Sequence, residues 1–327
     1  MIDLVDSFGR KHSYLRISVT DRCNLRCQYC MPAEGIQLKK KDELLSFEEI
    51  ARVARIFVAS GIEKIRITGG EPLVRKNLED LIAEIAKLPG LKHLAMTTNA
   101  VLLADKAEAL KKAGLQSLNI SIDSLHADRF KEITLRDDFS RVMAGIEAAE
   151  KAGFNPIKLN VVVMKGRNHD EVLDFVRLVY ERNLNVRFIE YMPFKDNCWD
   201  LEAVYSYKEM TQVIQQEFQL EALSGHPSDV AKDFKLLGGK GVVSFISSMT
   251  DSFCSSCNRL RMTADGSIKS CLFYEPEINL REQLRSGCSD EQIEHLIVYA
   301  LGKKPEAHPP MEELATMSNR AMVEIGG

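Results

Sequence analysis

The 327-residue chain has no run of 18 or more apolar residues, so no segment is long enough to cross a bilayer as a helix. Its first stretch, MIDLVDSFGRK, lacks the form of a secretory signal, and a cytoplasmic location is expected. Neither sign of charge dominates: 43 Lys and Arg stand against 47 Asp and Glu, a net −4. That balance argues for no nucleic-acid partner and no membrane surface. Long repeats and low-complexity stretches are absent. The length suits one large core or two domains.

The most telling shortage is of a fourth ligand. CNLRCQYC (23–30) places Cys23, Cys27 and Cys30 in a C-x3-C-x2-C spacing, and Cys254, Cys257 and Cys271 form a C-x2-C-x13-C set. In a reducing compartment such groups read as metal or redox sites rather than disulfides. A structural zinc site closes with four ligands, and only His12 lies near the first set. A four-iron cluster has one thiolate at each corner, so three thiolates leave one iron open for chemistry. Zinc completed by Cys198 for the first triplet, or by Cys288 for the second, is the competing reading. Taken singly, Cys198 and Cys288 read as small, partly buried hydrophobes.

Residues 14–190 alternate β-branched runs with amphipathic ones. Strands are expected at 14–19, 64–68, 93–97, 117–122, 158–163 and 185–190, with helices at 47–60, 78–88, 106–113, 139–152 and 170–183. Repeated strand–helix alternation implies a parallel sheet with right-handed crossovers, and six units are too few for a closed eight-stranded barrel. TDRC, TGGEP, TTN, SIDS, MKG and EYM all fall at carboxyl ends of these strands, the face that carries the site in such barrels. A further helix is expected at 207–218, a loop at 225–234, and then short strands with a hairpin at Asp265–Gly266. A soft boundary near 220 divides the chain into domains 1–220 and 221–327. Lys39, Lys40 and Lys41 read as a solvated loop.

Tyr29 before the third cysteine, with GGEP one strand later, makes the chain resemble the radical S-adenosylmethionine superfamily. The resemblance implies that the first cluster's open iron chelates S-adenosylmethionine and that its cleavage gives a 5′-deoxyadenosyl radical. Gly69 and Gly70 suit close backbone approach to that ligand, and Glu71 offers an acceptor for its ammonium group. Between the later cysteines, NRLR sets Arg259 and Arg261 on one face of a strand. Paired guanidinium groups suit phosphate or carboxylate. Arg66 and Lys158 also lie within expected strands, where a cation aimed inward fits an anionic ligand.

The wider set LRISVTDRCNLRCQYCMP, KIRITGGEPLVR, LNISIDSL, IKLNVVVMKG, VRFIEYMP, FCSSCNRLRMTADG and terminal IGG resembles the GTP 3′,8-cyclase family of molybdenum cofactor biosynthesis. This implies an α/β fold, a partial (β/α)6 barrel with a smaller C-terminal α+β extension that carries a second iron–sulfur cluster. It implies conversion of GTP to (8S)-3′,8-cyclo-7,8-dihydroguanosine 5′-triphosphate with two [4Fe-4S] clusters and S-adenosylmethionine. Cys23, Cys27 and Cys30 match ligands of the first cluster, and Cys254, Cys257 and Cys271 match those of the second. Tyr29, Gly70, Ser121 and Met192 match cofactor-contacting positions. Arg16, Arg66, Thr97, Lys158, Arg259, Leu260 and Arg261 match GTP-contacting ones. In this family the Gly326–Gly327 tail reaches into the active site, and Arg16 is counted with it among the catalytic positions. Leu135 departs from the family, which often has glycine there. The implied partners are GTP, an electron donor such as flavodoxin or ferredoxin, and cyclic pyranopterin monophosphate synthase as the next enzyme; the chain itself would be a monomer or homodimer. A peptide-modifying radical enzyme with an auxiliary cluster, or a non-catalytic iron–sulfur or zinc protein, are the alternatives.

Overall fold

A computed structural model describes residues 3–197, 199–251, 253–317 and 319–326. The expected strand–helix units form in order: β1 (Tyr14–Ser18), α1 (Phe47–Ala59), β2 (Lys64–Thr68), α2 (Leu78–Ile85), β3 (His93–Thr98), α3 (Ala107–Lys112), β4 (Ser117–Ser121), α4 (Ala127–Thr134), α5 (Phe139–Lys151), β5 (Ile157–Val163), α6 (Val172–Glu181), β6 (Leu184–Glu190) and α7 (Tyr207–Gln215). α1 shows why these runs become helices. Ser46 and Glu49 close a capping box at its start, and Ile50, Val53, Ala54, Phe57 and Val58 bury one stripe against the sheet. Helix α4 escaped the sequence reading, because its eight residues present only Phe130, Ile133 and Thr134 to the interior. It ends at Leu135, held in the left-handed region at φ 54°, the conformation that glycine adopts most easily.

Beyond residue 220 come β7 (Leu220–Ala222), β8 (Lys232–Leu236), β9 (Val242–Ile246), β10 (Arg259–Met262), β11 (Ser267–Lys269), β12 (Ile278–Asn279), α8 (Arg281–Arg285), α9 (Asp290–Gly302), α10 (Met311–Leu314) and α11 (Met322–Ile325). The described residues make one sheet of 12 strands in the order β12-β11-β10-β1-β2-β3-β4-β5-β6-β9-β8-β7. The six expected parallel strands are flanked on both sides by later ones: β10 lies parallel to β1, and β9 lies parallel to β6. Antiparallel pairs then protect each edge. The expected hairpin at Asp265–Gly266 joins β10 to β11, with Gly266 at φ 85°. The segment 225–234 is a loop only at first, since Lys232 already pairs in β8. No helix of the described residues is long and apolar enough to cross a membrane.

β9 docks on β6 through a backbone contact that admits no side chain. A Cβ at Gly241 would sit 2.3 Å from the Leu184 carbonyl oxygen and 2.7 Å from that of Val179. Gly241→Ala therefore pushes β9 off the sheet. The expected loss is about 1–3 kcal/mol, the usual cost of overpacking, read as a lower urea midpoint at unchanged slope.

Candidate active site

The first cysteine triplet lies in the loop after β1, and elements far apart in sequence hold that loop. The amides of Arg26 and Gln28 donate to the Thr134 and Ile133 carbonyls at 2.9 and 3.1 Å, using the free carbonyls at the end of α4. Tyr29 donates its hydroxyl to Asp123 Oδ2 at 2.8 Å, and Asp123 Oδ1 accepts the Val162 amide at 2.8 Å. Asn197 Nδ2 donates to the carbonyls of Tyr29 at 3.2 Å and Met192 at 2.8 Å. Burial, with Glu71 next, raises the Cys23 thiol to about 11; burial, Asp123 and the neighbouring thiols push Cys27 and Cys30 up as well. A metal centre that takes over these protons' places fits such a donor set.

The glycines after β2 pack against the cysteine loop. A Cβ at Gly70 would lie 2.4 Å from the Arg22 carbonyl oxygen, and one at Gly69 2.9 Å from that of Thr20. The amides of Gly70 and Glu71 donate to these same two carbonyls. Close approach is thus between the GGEP segment and the cysteine loop itself. Glu71 is buried beside them. It is 1 % exposed, and its carboxylate accepts from the Leu73 amide at 3.0 Å, Thr98 Oγ1 at 2.7 Å and the Asn99 amide at 2.6 Å. It ties the turn after β2 to the end of β3.

In front of this loop opens a cavity of about 530 Å³. Tyr29, Ser121 and Met192 line it on one side; Arg16, Arg66, Thr97, Lys158, Arg259 and Arg261 line the rest. Strand register explains the convergence. Arg16 on β1 pairs with Arg261 on β10 and with Arg66 on β2, so three arginines form one row across adjacent strands. One step back along the strands, Tyr14 pairs with Arg259 and with Lys64. Residues of one row share a face, because side chains alternate along a strand. Leu260 obeys the same alternation from the other side. It is 0 % exposed, with its side chain in the hydrophobic core on the face away from the cavity.

The electrostatics follow from this crowding. Burial and then Arg261 lower Arg16, burial lowers Arg187, and burial and Arg259 bring Arg261 down to about 10. Burial, with Arg187, Lys64 and Arg66 behind it, takes Lys158 to about 8. Burial opposes ionisation of Tyr14, yet Arg66, Arg16 and Lys64 outweigh it and bring the phenol to about 7. Arg66 Nε donates to the Tyr14 hydroxyl at 2.5 Å. Tyr14, Lys64 and Arg187 were missed by the sequence reading. Lys64 and Arg187 carried the same signal as Arg66, a cation inside a strand.

The tail closes the front. Gly326 takes φ 82°, and its carbonyl accepts from Arg16 Nη2 at 3.1 Å. A Cβ there would lie 2.6 Å from Thr68 Oγ1, so the chain end is packed on the carboxyl ends of β1 and β2. Gly327 and Cys198 lie outside the described residues. Lys39 is a correction: its Nζ is 3.1 Å from Asp265, whose second partner is Arg320 at 3.3 Å in the approach to the tail.

The second triplet lines a small cavity of about 60 Å³ with Arg10, Lys304 and His308, and Arg259 and Arg261 belong to both cavities. Burial would raise the Cys257 thiol, but Lys304 and Arg259 outweigh it and the net shift is downward; burial raises Cys271. Three thiols around one space fit a cluster that uses one thiolate per corner. Cys288 is partly buried against the core, as expected.

Residues 17–179 match the radical SAM superfamily, and residues 184–310 match the Molybdenum Cofactor Synthesis C family. The chain is 49 % identical over 325 residues to the mitochondrial GTP 3′,8-cyclase of Arabidopsis thaliana, covering 99 % of this chain and 83 % of that protein. It is 45 % identical over 323 residues to the GTP 3′,8-cyclase of Moorella thermoacetica, covering 98 % and 99 %. The chain belongs to the GTP 3′,8-cyclase family of the radical SAM superfamily. It spans about half the length of the human Molybdenum cofactor biosynthesis protein 1, with 49 % identity and 51 % of that protein covered. Streptococcus suis SuiB bound to S-adenosylmethionine shares the fold at a TM-score of 0.60 and 15 % identity, covering 96 % of this chain and 77 % of that one. Membership in this radical SAM family sets the fold class expected from the sequence, with a C-terminal extension present.

The cavity's chemistry gives a pH test. An anion placed among these cations raises the affinity of both Lys158 and Tyr14 for protons. Lys158 sits at about 8 and Tyr14 at about 7, so binding of inorganic sulfate, which does not itself titrate in this range, takes up protons near pH 8. Affinity should fall as pH rises from about 7 to about 9. Calorimetry in two buffers of different ionisation enthalpy reads the sign directly, and proton release would contradict it.

Proposed function

We propose that this chain converts GTP to 3′,8-cyclo-7,8-dihydroguanosine 5′-triphosphate, an early step in building the molybdenum cofactor. The observation that carries the reading is the arginine row Arg261–Arg16–Arg66, which shares one cavity with Tyr29 of the first cysteine loop and, through Arg261, borders the cavity of the second triplet. When bound, a cluster at Cys23, Cys27 and Cys30 with S-adenosylmethionine supplies the 5′-deoxyadenosyl radical, and a cluster at Cys254, Cys257 and Cys271 supplies an open iron for the guanine. The chain's own residues bind and orient. Arg16, Arg66, Lys158, Arg259 and Arg261 neutralise the triphosphate, and each charge-assisted contact fixes the ribose more tightly against the radical source. Tyr29, Ser121 and Met192 form the cofactor's side of the cavity. Gly326 narrows the mouth beside Arg16 and helps exclude water from the reacting carbon.

A low-potential donor such as flavodoxin or ferredoxin would supply the electron, and cyclic pyranopterin monophosphate synthase would take the product. A cytoplasmic setting suits the thiols. The direct test is anaerobic reconstitution of the chain, followed by S-adenosylmethionine, reductant and a panel of nucleotides. Cyclised product and 5′-deoxyadenosine should appear with GTP alone, and Cys23→Ala with Cys27→Ala and Cys30→Ala should abolish both. Cyclisation of another nucleotide in preference to GTP would overturn the reading. Counts of iron, sulfide and zinc separate it from a zinc protein.

Arg259→Ala and Arg261→Ala should each weaken GTP binding by roughly 1.5–3 kcal/mol, about ten- to a hundredfold. The loss should shrink for guanosine, which has no phosphates to hold; equal losses would point to damage at the neighbouring thiols.

Removing Gly326 and Gly327 should leave iron content and thermal unfolding unchanged, since the pair buries little apolar surface. The ratio of cyclised product to 5′-deoxyadenosine should fall sharply. Gly326→Val should do the same, because a side chain there meets Thr68 Oγ1. Unchanged coupling in both variants would reduce the tail to a passive end.

A further inference from the structure

Lys304 follows α9 and is 4 % exposed. Its ammonium has three protons to donate. One goes to Cys257 Sγ at 3.4 Å, one to the Arg259 carbonyl at 2.9 Å and one to the Ser270 carbonyl at 2.8 Å. The acceptors belong to, or stand beside, two of the three cysteines, and none is a carboxylate. Nearby Arg10 makes a useful contrast. It donates to the Cys254 carbonyl at 2.7 Å and braces the same loop, but Asp6 compensates its charge at 2.6 Å. A buried charge without a counter-charge is expensive. The thiolates of an occupied second site would provide the counter-charge.

We propose that Lys304 is a positioning residue of the second cluster, fixing the segments beside β10 and β11 that carry Cys257 and Cys271 and raising the reduction potential of the iron–sulfur group held there. This rests on the reading that the second triplet binds a four-iron cluster. One-electron reduction adds negative charge to such a cluster. An ammonium beside it stabilises the reduced form more than the oxidised form, and N–H···S bonds act in the same direction.

The test uses the full chain with Cys23→Ala, Cys27→Ala and Cys30→Ala, so that only the second site gives a signal. Iron and sulfide are counted first. The midpoint potential is then read by electron paramagnetic resonance while dithionite supplies the electron. Lys304→Met should move it to more negative values by a tenfold or greater change in the reduction equilibrium, about 59 mV for one electron. Lys304→Gln, which keeps a donor but loses the charge, should move it less, and Lys304→Arg should stay near the parent. An unchanged or more positive potential in Lys304→Met at full cluster content overturns the proposal. If Lys304→Met holds no cluster, Lys304→Gln decides, and an unchanged potential there overturns it. Absence of a four-iron cluster in the parent chain overturns the cluster reading and the proposal with it, and the iron count shows this before any titration.

Discussion

The rest of the site depends on one repulsion. Register sets Arg261, Arg16 and Arg66 side by side on adjacent strands. Neighbouring strands lie ~5 Å apart, so the row concentrates positive charge on one face. Tyr14, drawn towards its phenolate by these same cations, offsets part of this. A polyanion with several charges meets the whole row at once. The stored repulsion therefore becomes selectivity for charge number, which a single well-paired arginine would not give.

That row exists because the chain returns to the sheet. β10 supplies Arg259 and Arg261, and it reaches the edge of β1 only after the chain has passed β9 on the far side of β6. The parallel contact on each flank ties the later segment to the earlier one through backbone hydrogen bonds, so both thiol triplets are fixed to one rigid sheet. The tail uses the same frame. Gly326 lies against Ser18 and Thr68 and meets Arg16, so the chain end contacts the first two strands at the level of the site.

Much of this was legible in the sequence. Strand and helix periodicity gave the six central units, and polar segments at strand ends marked the active face. Arg66 and Lys158 stood out as cations in apolar strands, and Lys64 and Arg187 carried the same mark without being singled out. Pairing between distant strands was not legible, because register between β1 and β10 is a tertiary fact that neither strand encodes alone. Direction was equally hidden. Leu260 lies between two arginines in sequence but on the opposite face, and Glu71 follows the glycines yet turns inward to three donors. Helix α4, too short to show a full apolar stripe, turns out to hold the cysteine loop through its last carbonyls.

The two triplets offer the same three thiols in opposite surroundings. Near the first stand Asp123 and Glu71, and every described influence on Cys27 and Cys30 from a neighbouring charge or thiol pushes towards the protonated form. Near the second stand Lys304 and Arg259, which favour the thiolate at Cys257. Identical ligands are thus held at different potentials by their second neighbours. The acidic side suits a centre that must give an electron away. The basic side favours negative charge, and Arg259 and Arg261, which line both cavities, join it to the arginine row.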